Sequence, residues 1–299
     1  MKILVLGSKG QLGCCLFDQL SNTEYEVAYL SRDDFDMSDF ISLKKNITTF
    51  NPDFVINASA YTAVDKAETD IQKADLINHL AVSKLADTCK DLKSWLIHIS
   101  TDYVFDGCGN IPYLEKNKTN PKSIYGKSKL NGEKSIQASG CKYIIIRTSW
   151  VFSEYGNNFL KTMLQLAAKH KELSIVNDQI GCPTYAQDIA KGIMLMLPSL
   201  VINKSSSGIF NFCGHKPCSW YEFAIFIFKE ANRRGYKTPS IIKKVTSDEF
   251  KTIAPRPRYS VLDCSRIKKE FGINPSNWDQ GVSSSLKSLD INKYNLKIE

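Results

Sequence analysis

Tyr125 and Lys129 stand four positions apart, a spacing that on a helix puts both side chains on one face. A free phenol ionises near pKa ~10, too high to exchange protons readily at neutral pH. A lysine ammonium one turn away stabilises the phenolate and brings that value down. The pair can then deliver a proton to a carbonyl oxygen while hydride arrives at its carbon. Tyr-x-x-x-Lys is frequent by chance, so a third group matters. Thr101 lies about two dozen residues upstream, just past the apolar run Trp95–Ile99. There it can hydrogen-bond the same carbonyl oxygen and turn it toward Tyr125. Ligands of open α/β sheets sit at that carboxyl edge.

A hydride needs a donor, and the first residues offer a place for one. The apolar run Lys2–Leu6 leads into Gly7-Ser8-Lys9-Gly10-Gln11-Leu12-Gly13, a G-x-x-G-x-x-G loop followed by a helical pattern. Glycines let the backbone turn tightly against a pyrophosphate, whose charge the helix N-terminus then meets. The next strand ends in Ser31-Arg32, with Asp33 and Asp34 just after. Serine and arginine suit the 2′-phosphate of NADPH, whereas the acids keep NADH open.

These groups need a frame. The first half alternates short β-type runs with helical patterns, the signature of a parallel sheet covered on both faces. Strands are predicted at Lys2–Leu6, Val27–Leu30, Phe54–Asn57, Trp95–Ile99 and Tyr143–Arg147, and helices at Gln11–Leu20, Leu43–Phe50 and Lys73–Lys90. Within the last helix, Leu76, Ile77, Leu80, Leu85 and Ala86 fall at the spacing of a sheet-covering face. Past residue 150 the alternation loosens into helices at Asn158–His170 and Trp220–Glu230 and a strand at Gly208–Phe212. The expected fold class is α/β, a Rossmann-like doubly wound parallel sheet with a smaller α/β substrate-binding lobe. Residues 1–150 would form the dinucleotide-binding part, with pieces around 174–214 returning to it, and 151–299 mainly the substrate lobe. No internal repeat is evident, and nothing is low-complexity beyond Ser205–Ser207.

A chain of 299 residues with 43% hydrophobic and 23% charged residues has ordinary globular composition. Its longest apolar runs, such as Phe223–Phe228, are too short to span a bilayer. Only Ile3–Leu6 separates Met1-Lys2 from the glycine loop, so no secretory signal is expected and the cytoplasm is the expected location. The nine cysteines lack a paired C-x-x-C spacing, which points to reduced structural thiols and no metal site. The net charge of +8 is spread along the chain beside acids, without a basic stripe, so small anions are better partners than nucleic acid.

Several blocks carry a family resemblance. Gly7–Gly13, Asn57–Glu68 (NASAYTAVDKAE), Ser100–Gly107 (STDYVFDG), Arg147–Phe152 (RTSWVF), Asp178–Thr184 and Arg256–Asp263 together resemble the extended short-chain dehydrogenase/reductase family, in particular its reductases of nucleotide-linked 4-keto-6-deoxysugars. The resemblance covers most of the chain. It implies reduction by NAD(P)H of the C4 ketone of dTDP-4-dehydro-β-L-rhamnose to dTDP-L-rhamnose, in nucleotide-sugar and surface-polysaccharide biosynthesis. It implies Thr101, Tyr125 and Lys129 as the catalytic triad. Ala58, Ser59, Ala60 and Thr62 would line the cofactor beside Gly7, Gly10, Gln11, Leu12, Ser31 and Arg32, with Asp36 and Met37 near its adenine. Trp150 would pack on the deoxysugar, with Val64, Asp102 and Tyr103 around it, and Arg256 and Arg258 would reach the diphosphate.

The chain also departs from that pattern. Some relatives dimerise around a magnesium ion held by glutamates just past the glycine loop and just past the Gly-x-Pro-Thr block. Here those places read Cys14-Cys15 and Tyr185-Ala186-Gln187-Asp188, so a monomer or a homodimer without a metal bridge is expected. Two rival functions remain. Sugar-nucleotide 4,6-dehydratases and 4-epimerases share the fold, but dehydratases carry Thr-Asp-Glu where this chain has Thr101-Asp102-Tyr103. A non-catalytic NADP-binding subunit, like the regulatory subunit of methionine adenosyltransferase, would not need the triad that is intact here.

Overall fold

Strands buried on both faces read as unbroken apolar runs rather than alternating ones, and the central segments of this chain follow that rule. The computed structural model describes residues 1–202, 207–290 and 292–295, so Ser205 and Ser206 of the serine run lie outside the described residues. Five parallel strands come from the first half: β1 (Lys2–Leu6), β2 (Glu26–Leu30), β3 (Phe54–Asn57), β4 (Trp95–Thr101) and β5 (Lys142–Thr148). A sixth, Gly208–Asn211, arrives from the second half and pairs in parallel with β5. The order is the Gly208 strand, then β5, β4, β3, β1 and β2. Every residue of β3 is buried.

This order makes a switch point. The chain leaves β1 in one direction to β2 and later in the other to β3 and β4. Helices leaving adjacent strands on opposite faces open a crevice at the carboxyl ends. Helix α1 (Gln11–Leu20) covers one face together with Ala186–Ile202, burying Leu12, Leu16, Ile189, Ile193 and Leu197 in one cluster. Helix α2 (Phe40–Phe50) and the segment Ala81–Leu92 cover the other through Leu43, Ile47, Val82 and Leu85.

A separate cluster gathers Leu160, Phe223 and Trp278 from the helices Phe159–Lys169, Trp220–Asn232 and Trp278–Ser288, with Phe152 from the short strand Val151–Phe152. A two-stranded parallel sheet, Glu172–Val176 with Ile241–Val245, accompanies it. Of the stretch around 174–214, the helix Ala186–Ile202 and the Gly208 strand lie with the main sheet, whereas Glu172–Val176 lies with this smaller assembly.

One helical expectation needs correcting. Leu80 is 42% exposed rather than facing the sheet. Between the helices Ile71–Asp75 and Ala81–Leu92 runs a π-helical turn, Leu76–Leu80, whose extra residue rotates the apolar face. Asn78 takes the inward position instead. Its side chain accepts from Tyr61 N–H (2.9 Å) and donates to Tyr61 O and to Ser128 Oγ (3.0 Å), tying the Asn57–Glu68 block to the helix that carries Tyr125.

Candidate active site

Tyr125 and Lys129 lie on the helix Ile124–Ser139, whose first turn is anchored from two sides. Ser123 caps it by accepting Gly126 N–H at 3.1 Å, and the Glu68 carboxylate accepts Ile124 N–H at 2.8 Å. Both bonds satisfy donors that a helix N-terminus leaves orphaned. Thr101 ends β4, the position expected of it, and its hydroxyl donates to Asp102 Oδ1 at 2.9 Å. Tyr103 meets the Tyr125 ring edge-on, with centroids 5.6 Å apart.

The electrostatics suit proton donation. Burial raises the Tyr125 phenol above its ordinary range, only partly offset by the Thr101 hydroxyl, so the group is protonated at neutral pH. Burial lowers Lys129 to about 8, with Glu133 pulling the other way. Burial also lifts Asp102 to about 6, and its Oδ2 finds no hydrogen-bond partner.

Thr101, Tyr125 and Lys129 open onto one cleft of about 850 Å³ at the carboxyl edge of the sheet. Gly7, Gly10, Gln11, Leu12, Ser31, Arg32, Asp36 and Met37 line its far end, and Ala58, Ser59, Ala60 and Thr62 its floor. Val64, Asp102, Tyr103 and Trp150 line the end nearer Tyr125. Arg256 and Arg258 are not brought into the lining. Arg256 reaches the rim, donating to Tyr103 Oη at 3.1 Å and pairing with Asp65. Arg258 is directed away, its side chain 69% exposed and 3.8 Å from Asp248.

Whether a dinucleotide fits is decided by the glycine loop. Gly7 has φ +81°, a conformation that favours glycine, and a Cβ there would stand 2.8 Å from Ser59 N. A Cβ on Gly13 would meet Gly7 O at 2.2 Å. Gly10, at the N-cap of α1, offers no side-chain cap, so the first amides of α1 remain available to a phosphate. Ser59 Oγ is buried in the cleft wall without a partner, a further polar atom awaiting one. The residues therefore fit a nicotinamide dinucleotide. Gly13→Ala is expected to force loop and helix apart, costing about 1–3 kcal/mol of stability. Thermal melts with and without NADPH would show a lower Tm and a reduced cofactor-induced rise.

Sequence reasoning missed part of the lining. Trp220 stacks on Trp150 with ring centroids 3.5 Å apart, and Trp150 holds a left-handed φ of 48°. Nothing in the local pattern of Trp220 distinguishes it from a core aromatic of its helix. Lys9 also lines the cleft and pairs with Asp33 at 2.5 Å, beside Arg32. A lysine inside the glycine loop was the available signal. Beneath Lys129 sits His98, fully buried in β4 and likewise unmarked except as a histidine in an apolar strand.

Comparison with known proteins places this arrangement. Residues 1–291 match the family described as RmlD substrate binding domain. The chain is similar to a dTDP-4-dehydrorhamnose reductase of Aggregatibacter actinomycetemcomitans, 40% identical over 286 residues, covering 95% of this chain and 97% of that protein. Among solved structures, a dTDP-4-dehydrorhamnose reductase of Clostridium acetobutylicum superposes with a TM-score of 0.89 at 36% identity, covering 96% of this chain and 99% of that one. One from Bacillus anthracis, solved in complex with NADP, gives 0.88 at 32% identity with the same coverage.

Proposed function

Because the chain belongs to the RmlD substrate-binding-domain family, we propose that its cleft reduces the C4 ketone of dTDP-4-dehydro-β-L-rhamnose with NAD(P)H, giving dTDP-L-rhamnose. The chain is an oxidoreductase of nucleotide-sugar biosynthesis. The observation that carries the chemistry is the convergence of Thr101, Tyr125 and Lys129 on one cleft that also runs past the glycine loop.

The bound dinucleotide supplies the hydride and this chain supplies the rest. Gly7, Gly10, Gln11 and Leu12 would hold the pyrophosphate against the amides of α1. Ser31 and Arg32 would take the adenosine ribose or its phosphate, beside Asp36 and Met37. Ala58, Ser59, Ala60 and Thr62 form the floor. Thr101 orients the ketone oxygen, and Tyr125, held protonated by burial, gives it a proton. Lys129 fixes the polarity around that phenol. Trp150, braced by Trp220, shapes the sugar pocket with Val64, Asp102 and Tyr103. Arg256 at the rim would supply positive charge for the diphosphate, whereas Arg258, turned to solvent and Asp248, would not.

We further read the protein as cytoplasmic, and as a monomer or a homodimer without a metal bridge, since Cys14-Cys15 and Gln187-Asp188 stand where bridging glutamates would be needed. No helix among the described residues is long and apolar enough to cross a membrane.

The test is NADPH and NADH oxidation followed at 340 nm with dTDP-4-keto-L-rhamnose generated in situ, and UDP-4-keto-6-deoxyglucose in parallel. Substrate-dependent oxidation with the thymidine-linked sugar is expected. Tight NADPH binding without oxidation of either sugar would favour the non-catalytic subunit instead.

A further inference from the structure

Ser100, Thr101, Thr148 and Ser149 bring hydroxyls to the carboxyl ends of β4 and β5, and all four residues line the cleft. Three of these hydroxyls are engaged. Ser100 donates to Glu133 Oε1 at 2.5 Å, Thr101 to Asp102 Oδ1 at 2.9 Å, and Ser149 to the Cys182 carbonyl at 2.7 Å. Thr148 Oγ1 is buried and has no partner among the described residues. A buried hydroxyl that has lost water and gained nothing costs stability, and valine would fill the same outline without that cost. The backbone holds the oxygen there all the same. Thr148 pairs in register with Thr101, Ser149 is tied to Cys182, and Thr184 N–H donates to Trp150 O at 3.2 Å. A ligand of the cleft accounts for it.

The order of the sheet says which part of a ligand Thr148 would meet. Along the carboxyl edge the strands run β2, β1, β3, β4, β5. Ser31 and Arg32 follow β2, the glycine loop follows β1, and Ala58–Thr62 follow β3. A dinucleotide with its adenosine at β2 and its pyrophosphate at β1 carries its redox ring farther along this edge. Hydride delivery to a ketone oriented by Thr101 puts that ring at the end of β4. Thr148, the register partner of Thr101 on β5, is one strand spacing onward, about 4.8 Å. The nicotinamide ring bears a single polar substituent, a carboxamide, with both N–H donors and a carbonyl acceptor. A threonine hydroxyl can answer either.

We propose, resting on the reductase reading above, that the Thr148 hydroxyl anchors the nicotinamide carboxamide and so fixes which face of the ring looks toward the ketone. A ring turned over about its bond to ribose would present its other C4 hydrogen, so one hydrogen bond at the carboxamide makes the transfer stereospecific. The neighbouring hydroxyls are already claimed by Glu133, Asp102 and Cys182, which leaves this task to Thr148. The unsatisfied oxygen of the free protein is then stability given up for orientation, a trade that functional sites make repeatedly.

Thr148→Val keeps the shape and removes the oxygen, and stability and binding should then move in opposite directions. The free protein should melt roughly 2–4 °C higher, because the unsatisfied group is gone. By calorimetry its Kd for NADP⁺ should rise about fivefold, the worth of one net hydrogen bond. The same cofactor without its nicotinamide, 2′-phospho-ADP-ribose, should bind as it does to the wild type. Thr148→Ser should restore the Kd for NADP⁺. With NADPH deuterated at one or the other C4 position, the wild type should transfer from one face and Thr148→Val from both. An unchanged Kd for NADP⁺ would overturn the proposal, as would an equal loss for the fragment or a weakening confined to dTDP-L-rhamnose. A lower Tm with wild-type binding would make the hydroxyl structural and overturn it as well. Should the valine variant not fold, Thr148→Ala removes the same oxygen and carries the binding comparison. Wild-type protein that binds neither compound would overturn the proposal together with the cofactor reading. Cofactor binding without turnover of either sugar would count against the reductase reading alone, since the Kd comparison uses no sugar.

Discussion

Tyr125→Phe is expected to lower kcat by about 10²–10⁴-fold, the usual worth of a positioned general acid. The argument comes from what the hydroxyl does and what the ring does. The ring packs edge-on against Tyr103, and phenylalanine keeps that contact. Only the proton donor is lost, in a wall where burial keeps the phenol protonated. NADPH binding, followed by quenching of protein fluorescence, should be unchanged, because the glycine loop and the Ala58–Thr62 floor are untouched. A variant that turns over at the wild-type rate would remove Tyr125 from the mechanism. A variant that loses cofactor binding would make its role structural.

The second large effect concerns stability. Glu133 and Arg147 form an ion pair whose side chains are 1% and 3% exposed. Arg147 Nε donates to Oε1 at 3.0 Å and Nη2 to Oε2 at 2.6 Å, a bidentate fork, and Ser100 adds a third donor. Glu133→Ala leaves the guanidinium buried without its anion, which costs about 3–5 kcal/mol. In a protein of this size the Tm should fall by roughly 6–10 °C. Replacing both partners at once with leucine and methionine should recover most of the loss, since the solvation cost of the charges disappears with them. A single variant melting with the wild type would show that the pair adds no more than a surface one does.

Much of this site could be read in the chain because its parts depend on local rules. The glycine loop, the strand ends at Thr101 and Ser31, and the one-turn spacing of Tyr125 and Lys129 each follow from the backbone between a few neighbouring residues. The two-faced burial of the strands likewise made the sheet visible as five apolar runs. What escaped was set by distant partners. Leu80 looked inward until the π turn shifted the face, a change made by one extra residue that periodicity does not register. Trp220 joins Trp150 across 70 positions (220 − 150), and no spacing rule links them. Arg258 stood beside Arg256 in one block, yet the rim contacts of Tyr103 and Asp65 claim only Arg256, while Arg258 turns to solvent and Asp248.

The place of the Gly208 strand at the edge of the sheet has a consequence for biogenesis. It pairs with β5, Ile144 beside Gly208 through Arg147 beside Asn211, although 60 positions (208 − 148) separate the end of β5 from its start. At ribosomal rates of about 5–20 residues per second, that interval is roughly 3–12 s. During it the sequence Lys-Tyr-Ile-Ile-Ile-Arg-Thr of β5 has no neighbour on its outer side. A β-branched edge of this kind is a template for unwanted pairing. The nascent protein therefore passes through a window in which the outer edge of an isoleucine-rich strand waits for a partner still being translated, and slower elongation between residues 148 and 208 would lengthen that exposure.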